Sequence, residues 1–450
     1  QASLGGVTPT GLDASNELTE LIMEASLRIA MPAPYLSLRL HRDAPERYWQ
    51  AAARYIVGGL GSPVVNDEVL VPAFLLHGRS LGDARDYICS CCYENTIPGR
   101  EAFHPNGSYV NLPFLLERAL NRGRSLRQDR ALGPDTGSLD QFADFEAVMG
   151  AFRDQVRAAC GALVDFVNRA DAAHSARRRY PLMSLFIEDC IARGRDVCAG
   201  GARYHPTGTI LAGLPNVVNS LAAIRHCVFE EQTVSGAELL LALRADFAGF
   251  ENVRQRLLAA PKWGNDDAVV DQLATEVTDA LRVQFAGVVN PRGRPWQAAL
   301  YYFVANHGLG EVVGASADGR GAGQSLIRNL DPAWGTDREG PTALPHSLSR
   351  IDFTGFPNGS SLDLRFDPAS FDTEEGLQAF ADFLKGFVAL GVMQMQVSMV
   401  DTETLLDARA HPEKWPHLMV KVAGFSARFV DLSAREQEEI IGRTAQRLAD

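Results

Sequence analysis

Apolar residues recur at helical spacing at Leu18, Leu21, Ile22 and Ala25, downstream of Asp13 and Ser15. Either polar residue is suited to cap a helix start, because its side chain can accept from an orphan backbone N–H. Leu4 to Pro9 contains glycine and reads as a loop, whereas Tyr35 to Leu40 alternates as a strand should. Pro45 to Val57 then reads as a helix that stops at Gly58-Gly59. Asn66 or Asp67 caps a further short helix carrying Leu70, Val71 and Phe74. Strand and helix in alternation predict an α/β fold. Further along, Leu112 to Asn121 reads as an amphipathic helix and residues 122–138, polar with Gly and Pro, as a surface loop. Helical periodicity dominates 139–178 and much of 236–286. Asp318-Gly319-Arg320 and Gly340-Pro341-Thr342-Ala343 are loop chemistry, and no internal repeat or low-complexity tract interrupts the pattern.

Composition narrows the partners. The 450 residues can bury a large core. A net charge of -12 and a pI near 5.4 argue against nucleic acid, whose phosphates call for a surplus of Lys and Arg, and a small substrate fits better. Lys occurs only at 262, 385, 414 and 421, the other basic residues being Arg. No run of about 18 apolar residues suggests a membrane span, and no basic-then-apolar leader opens the chain, so the cytoplasm is expected. Seven scattered cysteines, an odd number, do not form a disulfide framework and agree with a reducing compartment.

Candidate chemistry concentrates in a few segments. Lys421-Val422-Ala423-Gly424-Phe425-Ser426-Ala427-Arg428-Phe429-Val430 reads as a turn with Gly424 at its tip. A lone glycine most often supplies only a backbone angle that other residues avoid. Upstream stands Cys91-Cys92-Tyr93-Glu94, with Cys89 close by. These cysteines lack a second ligand pair at zinc-like spacing, so no metal is expected. A buried structural thiol is the ordinary fate of one cysteine, and a solvated loop position that of one glutamate. Lys262-Trp263-Gly264-Asn265-Asp266-Asp267 and Gln437-Glu438-Glu439-Ile440-Ile441-Gly442-Arg443-Thr444 complete the set.

Taken together, these segments resemble the glycyl radical enzymes, a family that includes pyruvate formate-lyase, glycerol and hydroxyproline dehydratases, choline trimethylamine-lyase and arylacetate decarboxylases. The likeness runs from Gly5 to Arg443 and covers the C-terminal half of these longer proteins. It implies the C-terminal half of a ten-stranded barrel surrounded by helices, with residues 1–310 carrying the thiyl cysteine loop and 311–450 forming the glycyl radical domain. It also implies that Gly424 stores the radical, that Cys92 becomes the thiyl, and that Glu94 assists departure of a leaving group as a base. Cys91 beside Cys92 resembles the paired cysteines of pyruvate formate-lyase and is a second candidate. The Cys-x-Glu arrangement resembles the dehydratases, amine lyases and decarboxylases instead.

His104 is a candidate substrate contact. Asn106 stands where the dehydratase branch has an Asp, and it can only hydrogen-bond. Arg443 is a candidate for ordering the Gly loop, with an i,i+4 pair to Glu439 as the alternative. Phe425 replaces a common Tyr. The function implied is a radical 1,2-elimination on a small polar substrate. The alternatives are arylacetate decarboxylation or a non-catalytic repair subunit, a spare part that would not need Cys92 and Glu94. The implied cofactor is a protein-based glycyl radical with no bound group. The implied partners are a separate radical S-adenosylmethionine activase and a second chain supplying the N-terminal half. Gln1 in place of Met is in keeping with a processed or truncated chain.

Overall fold

The computed structural model describes all residues except 1, 32, 61–62, 91, 103–105, 129 and 448–450. The fold is α/β, and packing divides it into two compact units. Residues 1–99, 334–349 and 353–450 form the first, and 100–333 with 350–352 form the second.

The strands of the first unit are β1 (Ala2–Gly5), β2 (Leu36–Leu40), β3 (Val64–Asn66), β4 (Ile88–Ser90) and β5 (Glu94–Thr96). The second unit contributes β6 (Tyr109–Asn111), β7 (Thr207–Ala212) and β8 (Trp296–Ala299). The first unit resumes with β9 (Asp363–Phe366), β10 (Gln394–Met399), β11 (Met419–Lys421), β12 (Ser426–Arg428) and β13 (Ala445–Gln446). A six-stranded sheet runs β1-β2-β3-β10-β9-β13, parallel except where β10 meets β3. The segment expected to open as a loop, Leu4 to Pro9, instead begins inside β1. It does so because β2 supplies a parallel partner along its whole length, from Ala2↔Leu36 to Gly5↔Arg39.

Interior position explains β2 as well, which is buried at all five residues rather than at alternate ones. Its polar side chains are paired: Ser37 Oγ lies 2.6 Å from Ser3 Oγ, and Arg39 forms an ion pair with Asp67 at 2.8 Å. The first helix, Glu17–Ile29, is capped by Asn16 and not by Asp13 or Ser15. Ser15 instead donates its hydroxyl to Asp13, whose carboxylate also meets His41 at 3.0 Å. Leu18 and Leu21 are exposed and Met23 is the buried apolar residue of this helix, so periodicity misjudged its inner face. Asn66 caps the helix Asp67–Leu76 by accepting from Glu68 N–H.

Aromatic packing holds β9 and β10 in place. Thr373 caps the helix Glu374–Ala389, which sets Phe380 and Phe383 against Phe366 of β9 at centroid distances of 5.6 and 5.5 Å. Phe371 closes the cluster at 5.2 Å from Phe380. Each such ring contributes about 1.5–3 kcal/mol by leaving water.

In the second unit β6, β7 and β8 form a parallel sheet. A long helix, Phe145–Arg177, is capped by Asp144. Trp263 is fully buried, its indole N–H donating to Leu330 O at 3.0 Å and its backbone N–H to Asn219 at 2.8 Å. Lys262 Nζ donates to two carbonyls at 2.7 Å, and Asp267 caps the helix Ala268–Arg282. Asp318 accepts from Ser316 and Asn216. The Lys262–Asp267 and Asp318–Arg320 segments are thus tied into the framework of the second unit.

Candidate active site

Two short hairpins of the first unit meet. In one, β4 and β5 pair antiparallel with Ser90 opposite Glu94, and Cys92 and Tyr93 stand at the turn. In the other, β11 and β12 pair with Lys421 opposite Ser426, so that Val422 to Phe425 form the turn. Val422 N–H donates to Phe425 O across it at 3.0 Å.

Gly424 sits at the tip with φ of 88°, a left-handed conformation that glycine adopts without a side-chain clash. A Cβ placed on it would lie 2.2 Å from Cys92 Cβ and 2.6 Å from Cys92 Cα. Since a carbon–carbon bond spans about 1.5 Å, the Gly424 Cα lies within about 3.7 Å of Cys92 Cβ. The α-carbon of Gly424 and the thiol-bearing carbon of Cys92 are therefore in van der Waals contact.

Glu94 holds the cysteine turn from within. Its Oε2 accepts from the backbone N–H of Cys92 and of Tyr93, each at 3.1 Å, and the side chain is almost fully buried. Cys89 is buried and directs its thiol to Cys92 O at 3.6 Å, while its N–H donates to Ser3 Oγ at 3.3 Å. Tyr87, just before β4, lies under the Arg39 guanidinium at 4.0 Å and donates its hydroxyl to Asp67 at 2.5 Å. The entrance to the cysteine hairpin is thus anchored to the six-stranded sheet.

Arg443 anchors the glycine hairpin. It donates to Lys421 O at 3.3 Å and to Val422 O at 3.1 Å, and it also lies 3.7 Å from Glu439. Loop contacts and the i,i+4 pair therefore coexist. Arg365 of β9 donates in turn to Arg443 O at 3.1 Å. Burial, and after it the neighbouring Arg443 charge, lowers the Arg365 guanidinium to about 10. Cys91 and His104 lie outside the described residues. The candidates brought together are Gly424, Cys92, Glu94 and Arg443.

Sequence reasoning missed the residues that join the hairpins. Gln394 and Gln396 alternate on β10 and so face the same side. Gln394 Nε2 donates to Tyr93 O at 3.0 Å, while its Oε1 accepts from Asn95 at 3.2 Å and Ser360 N–H at 2.9 Å. Gln396 Oε1 accepts from Gly424 N–H at 2.8 Å. Two amides in a run as apolar as Met393 to Val397 are the available sequence signal, since buried amides require partners.

Lys421 was also missed as a chemical feature. It is buried, donates to Ser426 Oγ, and among the described residues has no carboxylate in salt-bridge range. Burial alone lowers its ammonium to about 7 from an ordinary 10.5. Above about 10.5 the amine is neutral in folded and unfolded chains alike, and no penalty arises. Between about 10.5 and 7 the unfolded chain binds a proton that the folded one does not, so stability falls by up to about 1.4 kcal/mol per pH unit. Below about 7 the full penalty is present. Lys421→Met is therefore expected to raise the melting midpoint more at pH 6 than at pH 10, flattening the pH dependence between them. Equal gains at both values would show that Lys421 carries no such penalty.

The comparisons agree with this geometry. Residues 1–310 match the family model described as pyruvate formate lyase-like, and residues 327–430 match that of the glycine radical. The (2S)-3-sulfopropanediol dehydratase of Klebsiella oxytoca is 33% identical over 98% of this chain and 54% of its own length. The isethionate sulfite-lyase of Oleidesulfovibrio alaskensis is 32% identical over the same shares. Among solved structures, the glycerol-bound B12-independent glycerol dehydratase from Clostridium butyricum superposes with a TM-score of 0.95 at 32% identity, over 100% of this chain and 57% of that one. The chain spans about half the length of the relatives it matches. No helix among the described residues is long and apolar enough to cross a membrane. With the family model covering most of its length and a glycine radical segment that contains Gly424, the chain belongs to the pyruvate formate lyase-like family of glycyl radical enzymes.

Proposed function

We propose that this chain is the C-terminal half of a cytoplasmic glycyl radical lyase that performs 1,2-elimination on a small polar substrate. Residues 311–450 serve as its glycyl radical domain. The observation that carries the reading is the contact of Gly424 with Cys92, with Glu94 two residues further on.

A hydrogen atom passes from the Cys92 thiol to the Gly424 α-carbon: the S–H bond breaks homolytically as the C–H bond forms. The thiyl then takes a hydrogen atom from a substrate carbon and becomes a thiol again. As the Glu94 carboxylate removes the proton of the hydroxyl on that carbon, the group on the adjacent carbon departs with its bonding pair. The product radical recovers a hydrogen atom from Cys92. Arg443 keeps the glycine turn seated throughout.

A separate radical S-adenosylmethionine activase generates the radical at Gly424. A second polypeptide or a preceding segment supplies the N-terminal half, a reading supported by the 54% and 57% of the relatives' own lengths that this chain covers. A repair subunit would need neither Cys92 nor Glu94, so their joint presence beside Gly424 supports a catalytic chain.

The test is anaerobic activation followed by two measurements: the organic radical signal, and product release from small diols, sulfonates and arylacetates. A radical together with dehydration or sulfite release supports elimination. Carbon dioxide from an arylacetate would replace it with decarboxylation, and absence of any radical would remove the reading altogether.

Glu94→Gln is a sharper probe of the base. The amide retains an oxygen that can accept from the Cys92 and Tyr93 N–H groups, so the turn should persist while basicity is lost. Product formation is expected to fall by roughly two to four orders of magnitude with the Gly424 radical intact. Normal turnover would return Glu94 to a purely structural part in the turn.

A further inference from the structure

Resting on that reading, we propose that Gln396 is a positioning residue for the hydrogen transfer, holding Gly424 and the Cys92 turn at transfer distance through one side-chain oxygen. Gln396 Oε1 accepts from the Gly424 N–H at 2.8 Å and lies 3.1 Å from the Tyr93 hydroxyl, in the residue next to Cys92. Tyr93 O–H also lies 2.8 Å from Asp363 Oδ1, and Asp363 stands directly opposite Gln396 in the β9–β10 register. Gly424, Gln396, Tyr93 and Asp363 thus form one buried chain of contacts from the glycine tip through the cysteine turn into the sheet.

Among the described residues, the same amide leaves its Nε2 buried and unpartnered. An unsatisfied buried donor is destabilising by about 1–3 kcal/mol. An apolar residue of similar length would avoid that penalty but orphan the buried Gly424 N–H in exchange, so the two effects offset and stability alone gives little reason for Gln at this position. What it supplies is the acceptor for Gly424. A hydrogen bond to that N–H fixes the plane of the peptide preceding the α-carbon, and planarity with its two peptides is what delocalises an electron there. It also draws the N–H proton toward Gln396, leaving the nitrogen more electron-rich and better able to donate into a half-filled α-carbon orbital.

The distinguishing readout is exchange of the Gly424 α-hydrogen. The Cys92 thiol exchanges its proton with solvent, so in D2O each reversible transfer carries deuterium to Gly424. The radical doublet arising from the remaining α-hydrogen then collapses to a singlet. With the activated protein, Gln396→Met is expected to slow that collapse about tenfold, the equivalent of one net hydrogen bond. Its melting midpoint should stay close to that of the wild type, because the orphan Nε2 is gone while the Gly424 N–H loses its acceptor. Gln396→Glu keeps an acceptor oxygen at the same reach and should exchange within about twofold of the wild type. Should the Met variant not fold, Gln396→Asn tests the same point, since it shortens the reach by one methylene and should slow exchange alike.

Wild-type exchange in the Met or Asn variant, or a Glu variant as slow as Met, would overturn the role of Gln396 and leave the Gly424–Cys92 assignment standing. A wild-type radical whose doublet never collapses in D2O would overturn that assignment and, with it, this inference.

Discussion

Gly424→Ala is expected to abolish the organic radical signal and all turnover. Two effects act together. A methyl group at that carbon opposes the planar arrangement that delocalises the electron, and the φ of 88° is strained for any residue with a Cβ. From the turn position alone, a single methyl group would leave the fold largely intact. The structure corrects this locally, because the new methyl would sit 2.2 Å from Cys92 Cβ and the two hairpins must part. Overpacking of this kind typically costs about 1–3 kcal/mol, and the left-handed conformation adds a comparable amount. The melting midpoint should therefore fall while the six-stranded sheet survives, as far-ultraviolet circular dichroism would report. Exposure to air supplies a second reading. Activated wild-type chains should be cut near residue 424 and the variant should stay whole. A wild-type radical signal in Gly424→Ala, or intact wild-type chains after air, would contradict the assignment.

Cys92→Ser is expected to keep the Gly424 radical and lose turnover completely. Serine is close to isosteric, and both its backbone N–H bond to Glu94 and its contact with Gly424 survive the exchange. What changes is the bond to hydrogen: an alcohol O–H is too strong to give up its hydrogen atom reversibly to a glycyl radical. The radical should consequently form and remain trapped on Gly424, with no α-hydrogen exchange in D2O. Turnover by the serine variant would move the thiyl to another sulfur, Cys91 being the neighbour in sequence. Cys89 is a poorer alternative, since its thiol is occupied at Cys92 O and beside Gln394 at 3.7 Å. Cys160 lies on a different unit, where burial raises its thiol to about 12.

The parts of this protein that local chemistry dictates were legible in the chain. Helix and strand in alternation gave α/β, because apolar spacing follows from the geometry of each element. Asn66 was recognisable as a cap because its side chain serves a backbone donor two residues away. Gly424, Cys92 and Glu94 stood out only through the resemblance of their segments to the glycyl radical enzymes, since each alone reads as a turn glycine, a buried thiol or a solvated carboxylate. Where neighbouring segments compete, the same reasoning failed. Asn16 displaced Asp13 and Ser15 as a cap because those two bond each other and His41, and Leu4 joined a strand because β2 offered it a partner.

The candidate site itself was decided by tertiary structure. Nothing in the spacing of residues 92 and 424 brings their carbons into contact. That contact follows from β9 and β10, which phenylalanine packing fixes in the sheet and whose Asp363, Gln394 and Gln396 reach both hairpins. Lys421 likewise carries no mark in the chain that sets it apart from the other lysines, and only burial beside Ser426 lowers its ammonium. A sequence specifies which groups are present and what bonds they can make. Which of them lie within reach of one another, and how much water each retains, depends on segments far apart in the chain packing together.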